Sequence, residues 1–326
     1  MKTQMYFKTL LFLFLTVSIV SCGDDDDPII PVAGNSITDI ASRNSDFTIL
    51  VSALGRAGLA ATLDGQGPYT VFAPTNAAFS AFLEDKGYDN VDQVPVAALK
   101  EILLNHVVSG AVTSSQLSTG YVKTLAKGGA STANTLSMFV NTASGVVLNG
   151  GVDNGGATVT TADILAENGV IHVVNGVIGL PTVVNHALAN PDFSILVQAL
   201  TRGDQPDFAG ILSGTASSPF TVFAPKNSAF VSLLTELGLA SLADVPQATL
   251  ESTLKYHVVT GANVLAASLT NNQSVTTYEG GSFTIGLTGG AKITDYNGRV
   301  SNIVATDVQA SNGVVHVLDK VLLPNL

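Results

Sequence analysis

Tyr69-Thr-Val-Phe-Ala-Pro-Thr-Asn-Ala-Ala-Phe79 and, 151 residues later, Phe220-Thr-Val-Phe-Ala-Pro-Lys-Asn-Ser-Ala-Phe230 are two versions of one segment. Each opens on alternating apolar residues, the period of a strand with a buried face. Pro74 and Pro225 then end it, because proline gives a central ladder no N–H. Asn76 and Asn227 follow as candidate helix caps. Phe79, Phe82 and Leu83 fall at i, i+3 and i+4, and Phe230, Leu233 and Leu234 repeat that spacing on the same kind of helical face. The segment reads as a strand, a corner and a helix, present twice.

The flanks of this segment repeat as well. Phe47-Thr-Ile-Leu-Val-Ser-Ala-Leu54 returns as Phe193-Ser-Ile-Leu-Val-Gln-Ala-Leu200, and His106-Val-Val returns as His257-Val-Val. Asn168-Gly-Val-Ile-His-Val173 returns as Asn312-Gly-Val-Val-His-Val317. The offsets of 146, 151, 151 and 144 residues describe a duplicated domain, too long for a solenoid unit. They place an insertion in the second copy between Arg202 and Pro219, and a deletion between His257 and His316. The division predicted is residues 35–180 and 181–326.

Asp46 and Asp192 are expected to cap the helix carrying the Phe-x-Ile-Leu-Val segment. Another helix begins near Pro95 and places Leu99, Ile102, Leu103 and His106 on one face. Beyond His106, short runs rich in Val, Thr and Gly take over: Ser137–Val140, Val146–Asn149, Ala157–Thr161 and Val170–Ile178. They are separated by turn signals such as Asn149-Gly150 and Asn154-Gly155. Helices early and strands late in each copy predict an α+β fold.

The two motifs, Thr-Val-Phe-Ala-Pro-Thr-Asn-x-Ala-Phe and Asn-Gly-Val-Ile-His-Val, are similar to the signature of the fasciclin domain, in order and in both copies. The resemblance covers residues 35 to 326. It implies a β-sandwich or β-wedge with a helical cap, repeated in tandem, on an extracellular or surface-attached protein associated with adhesion and matrix contact. The motifs also have a purely structural reading. Phe72 and Phe79 anchor a core, Gly169 permits the bend into the last strand, and Asn168 suits a left-handed turn.

The N-terminus has the layout of a secretory signal. Lys2 and Lys8 precede an apolar run, Thr9 to Val20, shorter than the roughly 20 residues of a comfortable membrane span. Ile19-Val20-Ser21-Cys22 resembles a bacterial lipobox, and Cys22 is the one cysteine of the chain. The resemblance implies cleavage of residues 1–21 and lipidation of Cys22, since two or three acyl chains anchor a protein stably. Residues 22–34, with the run Asp24 to Asp27, read as a solvated spacer. An acidic run there is similar to a surface-export signal, so the expected location is the outer membrane, facing outward, with a periplasm-facing anchor as the alternative.

A formal net charge of −11 with 14 Lys and Arg argues against nucleic acid and against an electrostatic dock on anionic lipid. No nucleophile elbow, phosphate loop, zinc-protease helix or dinucleotide fingerprint occurs, so no catalytic residue, cofactor or metal site is predicted. Four of the five histidines fall at two repeated positions. His106 and His257 lie on apolar helical faces and His172 and His316 lie within the last strand, where a hydrogen-bonded core residue is expected.

Three groups are candidates for partner contact. In animal fasciclin domains, a Tyr-His pair and an Asp-Ile pair are linked to cell-surface receptor binding. The second copy keeps the first as Tyr256-His257, where the first copy has Asn105-His106. Asp163-Ile164 matches the second pair, and Asp307-Val308 stands at the corresponding place. Arg202-Gly203-Asp204 spells an integrin-binding tripeptide, although Arg56 sits at the equivalent position without it. That favours a local role, with arginine in the last turn of a helix and Gly203 as its C-cap. The function expected is a lipid-anchored surface adhesion or binding protein meeting a protein or glycan partner. The alternative is a glycan or small-molecule receptor with a pocket between strands and cap, which the absence of Trp does not favour.

Overall fold

A computed structural model describes residues 35–325; the apolar N-terminal run, Cys22 and the acidic spacer to residue 34 lie outside the described residues. The first half runs α1 (Ile37–Arg43), α2 (Thr48–Arg56), α3 (Ala60–Leu63), β1 (Tyr69–Pro74), α4 (Asn76–Asp85) and α5 (Val96–Leu104). Strands then take over as β2 (Val107–Ser109), β3 (Gly120–Gly128), β4 (Ser131–Asn141), β5 (Val147–Leu148), β6 (Ala157–Ala166) and β7 (Gly169–Val174). The second half repeats the order: α6 (Val183–Ala189), α7 (Ser194–Leu200), α8 (Phe208–Ser213), β8 (Phe220–Pro225), α9 (Asn227–Leu237), α10 (Gln247–Tyr256) and β9 (Val258–Thr260). It finishes with β10 (Ser274–Thr276), β11 (Ser282–Gly286), β12 (Lys292–Thr294), β13 (Val300–Ala310) and β14 (Gly313–Leu318). The fold is α+β, with a helical cap on a rolled sheet in each half.

β1 is central, parallel to β7 and antiparallel to β2, and Pro74 is its last residue. A side chain at Gly169 would put Cβ 1.9 Å from Tyr69 O, so the parallel pair can approach only with glycine there. The first sheet closes into a seven-stranded barrel, with β2 and β3 joined by the single pair Val108↔Thr124. The second runs β10-β11-β12-β13-β14-β8-β9, and across the corresponding gap Tyr278 N donates to Val258 O at 2.7 Å. Each half therefore has two cores. Phe47, Leu50, Phe79, Leu99 and Leu103 pack between cap and sheet, while Phe72, Met138, Leu148 and Ile178 fill the barrel.

Several caps differ from expectation. Asn44 and Asn190, rather than Asp46 and Asp192, accept from backbone N–H groups, namely those of Asp46 and Asp192 themselves. Thr75 caps α4 through Ala78 N, and Asn76 works on a different helix. Its Oδ1 accepts Ile49 N at 2.9 Å and its Nδ2 donates to Ser45 O and Thr48 Oγ1, tying the start of α4 to the start of α2. Asn227 does the same with Ile195, Pro191 and Ser194. Asn168 takes no left-handed turn. Its buried amide accepts Ile37 N and donates to Leu63 O and Gly65 O, clamping α1 and α3 onto the start of β7. Asn312 repeats this clamp with Val183, Leu212 and Gly214. These satisfied buried amides explain why both motifs contain asparagine.

The β3–β4 arm of the first half reaches the second. Tyr121 packs against the cap core there and meets His186 edge-on, with ring centroids 5.5 Å apart. Gln309 N donates to Ser137 Oγ at 3.0 Å, and Ala130 N to Ser311 O at 2.9 Å. Asn154 and Asn185 exchange side-chain bonds, including Asn154 Nδ2 to Asn185 O at 2.9 Å.

Candidate functional site

Asp163 sits in a bulge of β6, between Thr161 and Ile164, at φ +63°, a conformation unusual for any residue but glycine. The strand histidine holds it there. His172 is fully buried and stacks on Phe72 at 5.4 Å. Its Nδ1 accepts Asp163 N–H at 3.2 Å, which leaves the proton on Nε2, donating to Val112 O at 2.9 Å. The carboxylate of Asp163 then accepts Ser114 N at 2.7 Å and Ser114 Oγ at 2.5 Å. The result is a fixed projection carrying an exposed Asp163 and a half-buried Ile164 beside exposed Thr160 and Thr161.

The second half builds the same device. Asp307 lies at φ +59° in a bulge of β13, His316 stacks on Phe223 and receives Asp307 N, and its Nε2 donates to Val264 O at 2.8 Å. Burial pulls the His316 pKa down. The Asp307 carboxylate accepts Ala266 N at 2.8 Å. Here, however, the bulge is engaged by the first half: Lys123 Nζ donates to Asp307 O at 2.7 Å. Val308 is buried at 3% exposure and belongs to the cap core.

These repeated geometries have a family behind them. A fasciclin domain model matches residues 45–181 and again residues 191–324. The chain belongs to the fasciclin domain family. Protein sll1483 of Synechocystis is 38% identical over 143 residues, which is 44% of this chain and 72% of that protein. Human periostin is 27% identical over 81% of this chain, but the match spans only 29% of periostin. A solved FAS1 domain pair from the insect cell adhesion molecule fasciclin I is 19% identical, with 88% of this chain and 95% of that one covered and a TM-score of 0.48.

The remaining candidates of this fasciclin pair lie inside or closed upon themselves. Tyr256 is fully buried, donates to Ser282 O at 2.7 Å, and burial pushes its pKa up to about 12. His257 is 4% exposed; its Nδ1 donates to Thr253 O at 2.7 Å and its Nε2 accepts Leu322 N at 2.9 Å. Burial brings its pKa down to about 4, so the ring is neutral. His106 repeats the arrangement with Ile102 O and Ile178 N. Each histidine ties the end of a cap helix to the segment after the last strand.

Arg202 grips its own Asp204 through two bonds, of 2.7 and 2.9 Å, and Leu242 O and Val245 O through its remaining nitrogen. That pairing holds the Asp204 carboxyl below its ordinary pKa. Arg56 reaches Val94 O in the same way. Gly203 is not a C-cap; α7 ends at Leu200, and Thr201 caps it. The tripeptide is a folded clamp on the turn before α10, with Arg202 only 18% exposed.

Sequence reasoning did not find the partners of these residues. Lys123 and Ser137 carried no motif, and β3 had no strong alternation to reveal it. Among the described residues, no three His, Asp or Glu side chains converge as metal ligands.

Proposed function

We propose that this fasciclin pair is a lipid-anchored surface adhesion protein whose contact with a protein partner is made by the open bulge of domain 1, at Asp163 and Ile164. One observation carries the reading: the same bulge in domain 2 is already a protein-binding face, engaged by Lys123 and backed by Ser137 of domain 1. Domain 1 presents its own version with Asp163 exposed and Ile164 half-buried beside it, against the cap core. A rigid projection loses little entropy on binding, which suits it to recognition. The family resemblance to adhesion proteins supports the same reading.

The anchor is supported by sequence. Cys22, the one cysteine, follows Ile19-Val20-Ser21 and an apolar run, and the acidic spacer after it favours display on the outer face of the membrane. Buried Tyr256, His257 and Val308 would influence binding through stability of domain 2. Substituting Asp163 and Ile164 and measuring attachment tests the proposal.

A further inference from the structure

The two caps are built on the same plan but are not filled alike. Between cap and sheet of domain 2 lies a cavity of about 140 Å³, whereas the equivalent space in domain 1 is about 10 Å³. Two replacements account for part of the difference. Ile37 and Ile171, which line the space in domain 1, correspond to Val183 and Val315 in domain 2, through the shared contacts to Asn168 and Asn312 and the shared strand register. Each replacement removes one methylene from the wall.

The rim differs in the same direction. The α1 positions equivalent to the rim of domain 2 are Thr38 and Ser42, whose hydroxyls donate to Asp64 Oδ1 and Thr38 O. On α6 they are Val184 and Leu188, and Leu188 is 51% exposed. Thr201 stands at the rim and His257 at the base, but both His257 nitrogens are occupied by Thr253 O and Leu322 N. Nothing polar inside is left to hold water, and apolar cavities of this size stay dry and accept hydrocarbon.

We propose that domain 2 binds the end of an alkyl chain, with about six carbons inside the cavity and the rest of the chain leaving over Leu188. The cavity offers no partner for a charged or hydroxylated group, so the polar part of the ligand stays outside. A free fatty acid and the acyl tail of a phospholipid share this chemistry. The site is separate from the Asp163 face, and its failure leaves the adhesion reading untouched.

The test is methyl NMR of the full chain, delipidated, titrated with octanoate in one arm and dihexanoylphosphatidylcholine below its micellar concentration in the other. The expected result is a saturable shift of the Val183, Leu196 and Val315 methyls, with the corresponding domain 1 methyls unmoved. Preference for the first probe assigns a free acid, and for the second a lipid tail. Val183→Ile with Val315→Ile, which restores the domain 1 wall, is expected to weaken binding at least ten-fold without lowering the melting temperature. Leu188→Ser, at the exposed rim, is expected to weaken it several-fold in a normally folded chain. If neither probe moves these methyls, or if the filled variant binds as tightly as the parent, the proposal is wrong.

Discussion

Lys123 Nζ of domain 1 donates to the carbonyl oxygen of Asp307 in domain 2 at 2.7 Å, and the same ammonium reaches Ser137 Oγ at 3.0 Å. Partial burial lowers the Lys123 pKa, yet the bulge carbonyl and the nearby Asp307 charge give the cation somewhere to point. The contact joins the β3–β4 arm to the bulge at Asp307, so it bears on how the two domains unfold. Lys123→Met keeps the aliphatic stem and removes the donor, leaving Asp307 O without this partner. The contact is open to solvent and water can take the donor's place, so a loss of about 0.5–1.5 kcal/mol is expected. Calorimetry should show domain 1 and domain 2 melting further apart than in the parent; an unchanged trace would mean the arm contributes nothing to coupling.

The buried histidines set an acid limit. Burial holds His106, His186 and His257 at about 4, below the ordinary value of 6.5. Between those values the unfolded chain binds protons that the folded chain does not, so stability is full above about pH 6.5 and falls as pH drops toward 4. Urea denaturation across that window should show the decline. His186 has one ring nitrogen without a partner, and His186→Phe should make the decline shallower. A flat profile in the parent would contradict the assignment of these rings as neutral core groups.

The repeats, the α+β order and the identity of the core aromatics were legible because they depend on local period and on self-similarity. Phe72 and Phe79 lie in cores as their spacing implied. What the side chains of Asn76 and Asn168 do was not legible. Both reach residues far along the chain, Asn76 to Ser45, Thr48 and Ile49 and Asn168 to Ile37, Leu63 and Gly65. A local cap or turn was the only role that spacing could suggest. The same holds for the site. Asp163 and Asp307 were found through the family resemblance, but that one is open and the other engaged depends on Lys123, 184 residues from Asp307. The closure of Arg202 on Asp204 likewise depends on carbonyls at Leu242 and Val245.

Because Arg202 is spent on Asp204, Leu242 and Val245, the tripeptide should be a stability element. Arg202→Lys cannot keep the forked geometry and should cost about 1–2 kcal/mol. A soluble Arg-Gly-Asp peptide in excess should leave attachment of the parent protein unchanged. Competition by that peptide would show that the clamp opens for a partner.

Cys22→Ser should abolish incorporation of labelled fatty acid and move the protein from the membrane fraction to the soluble one. Retention in the membrane after this change would remove the lipid anchor from the account.

The central claim is that the open bulge of domain 1 makes the partner contact, and attachment of whole cells tests it most directly. Cells displaying the parent chain, Asp163→Asn with Ile164→Thr, or Arg202→Lys are compared for adhesion to one another and to immobilised matrix proteins, at matched surface levels. The amide introduced by Asp163→Asn keeps one oxygen for Ser114 N and turns its NH2 toward Ser114 Oγ, and Ile164→Thr trims a side chain that packs on the cap core, so the variant should fold with a modestly lower melting temperature. The account predicts at least a ten-fold loss of attachment for the Asp163 and Ile164 variant, and near-parental attachment for Arg202→Lys. Parental attachment by the well-folded Asp163 and Ile164 variant would contradict it.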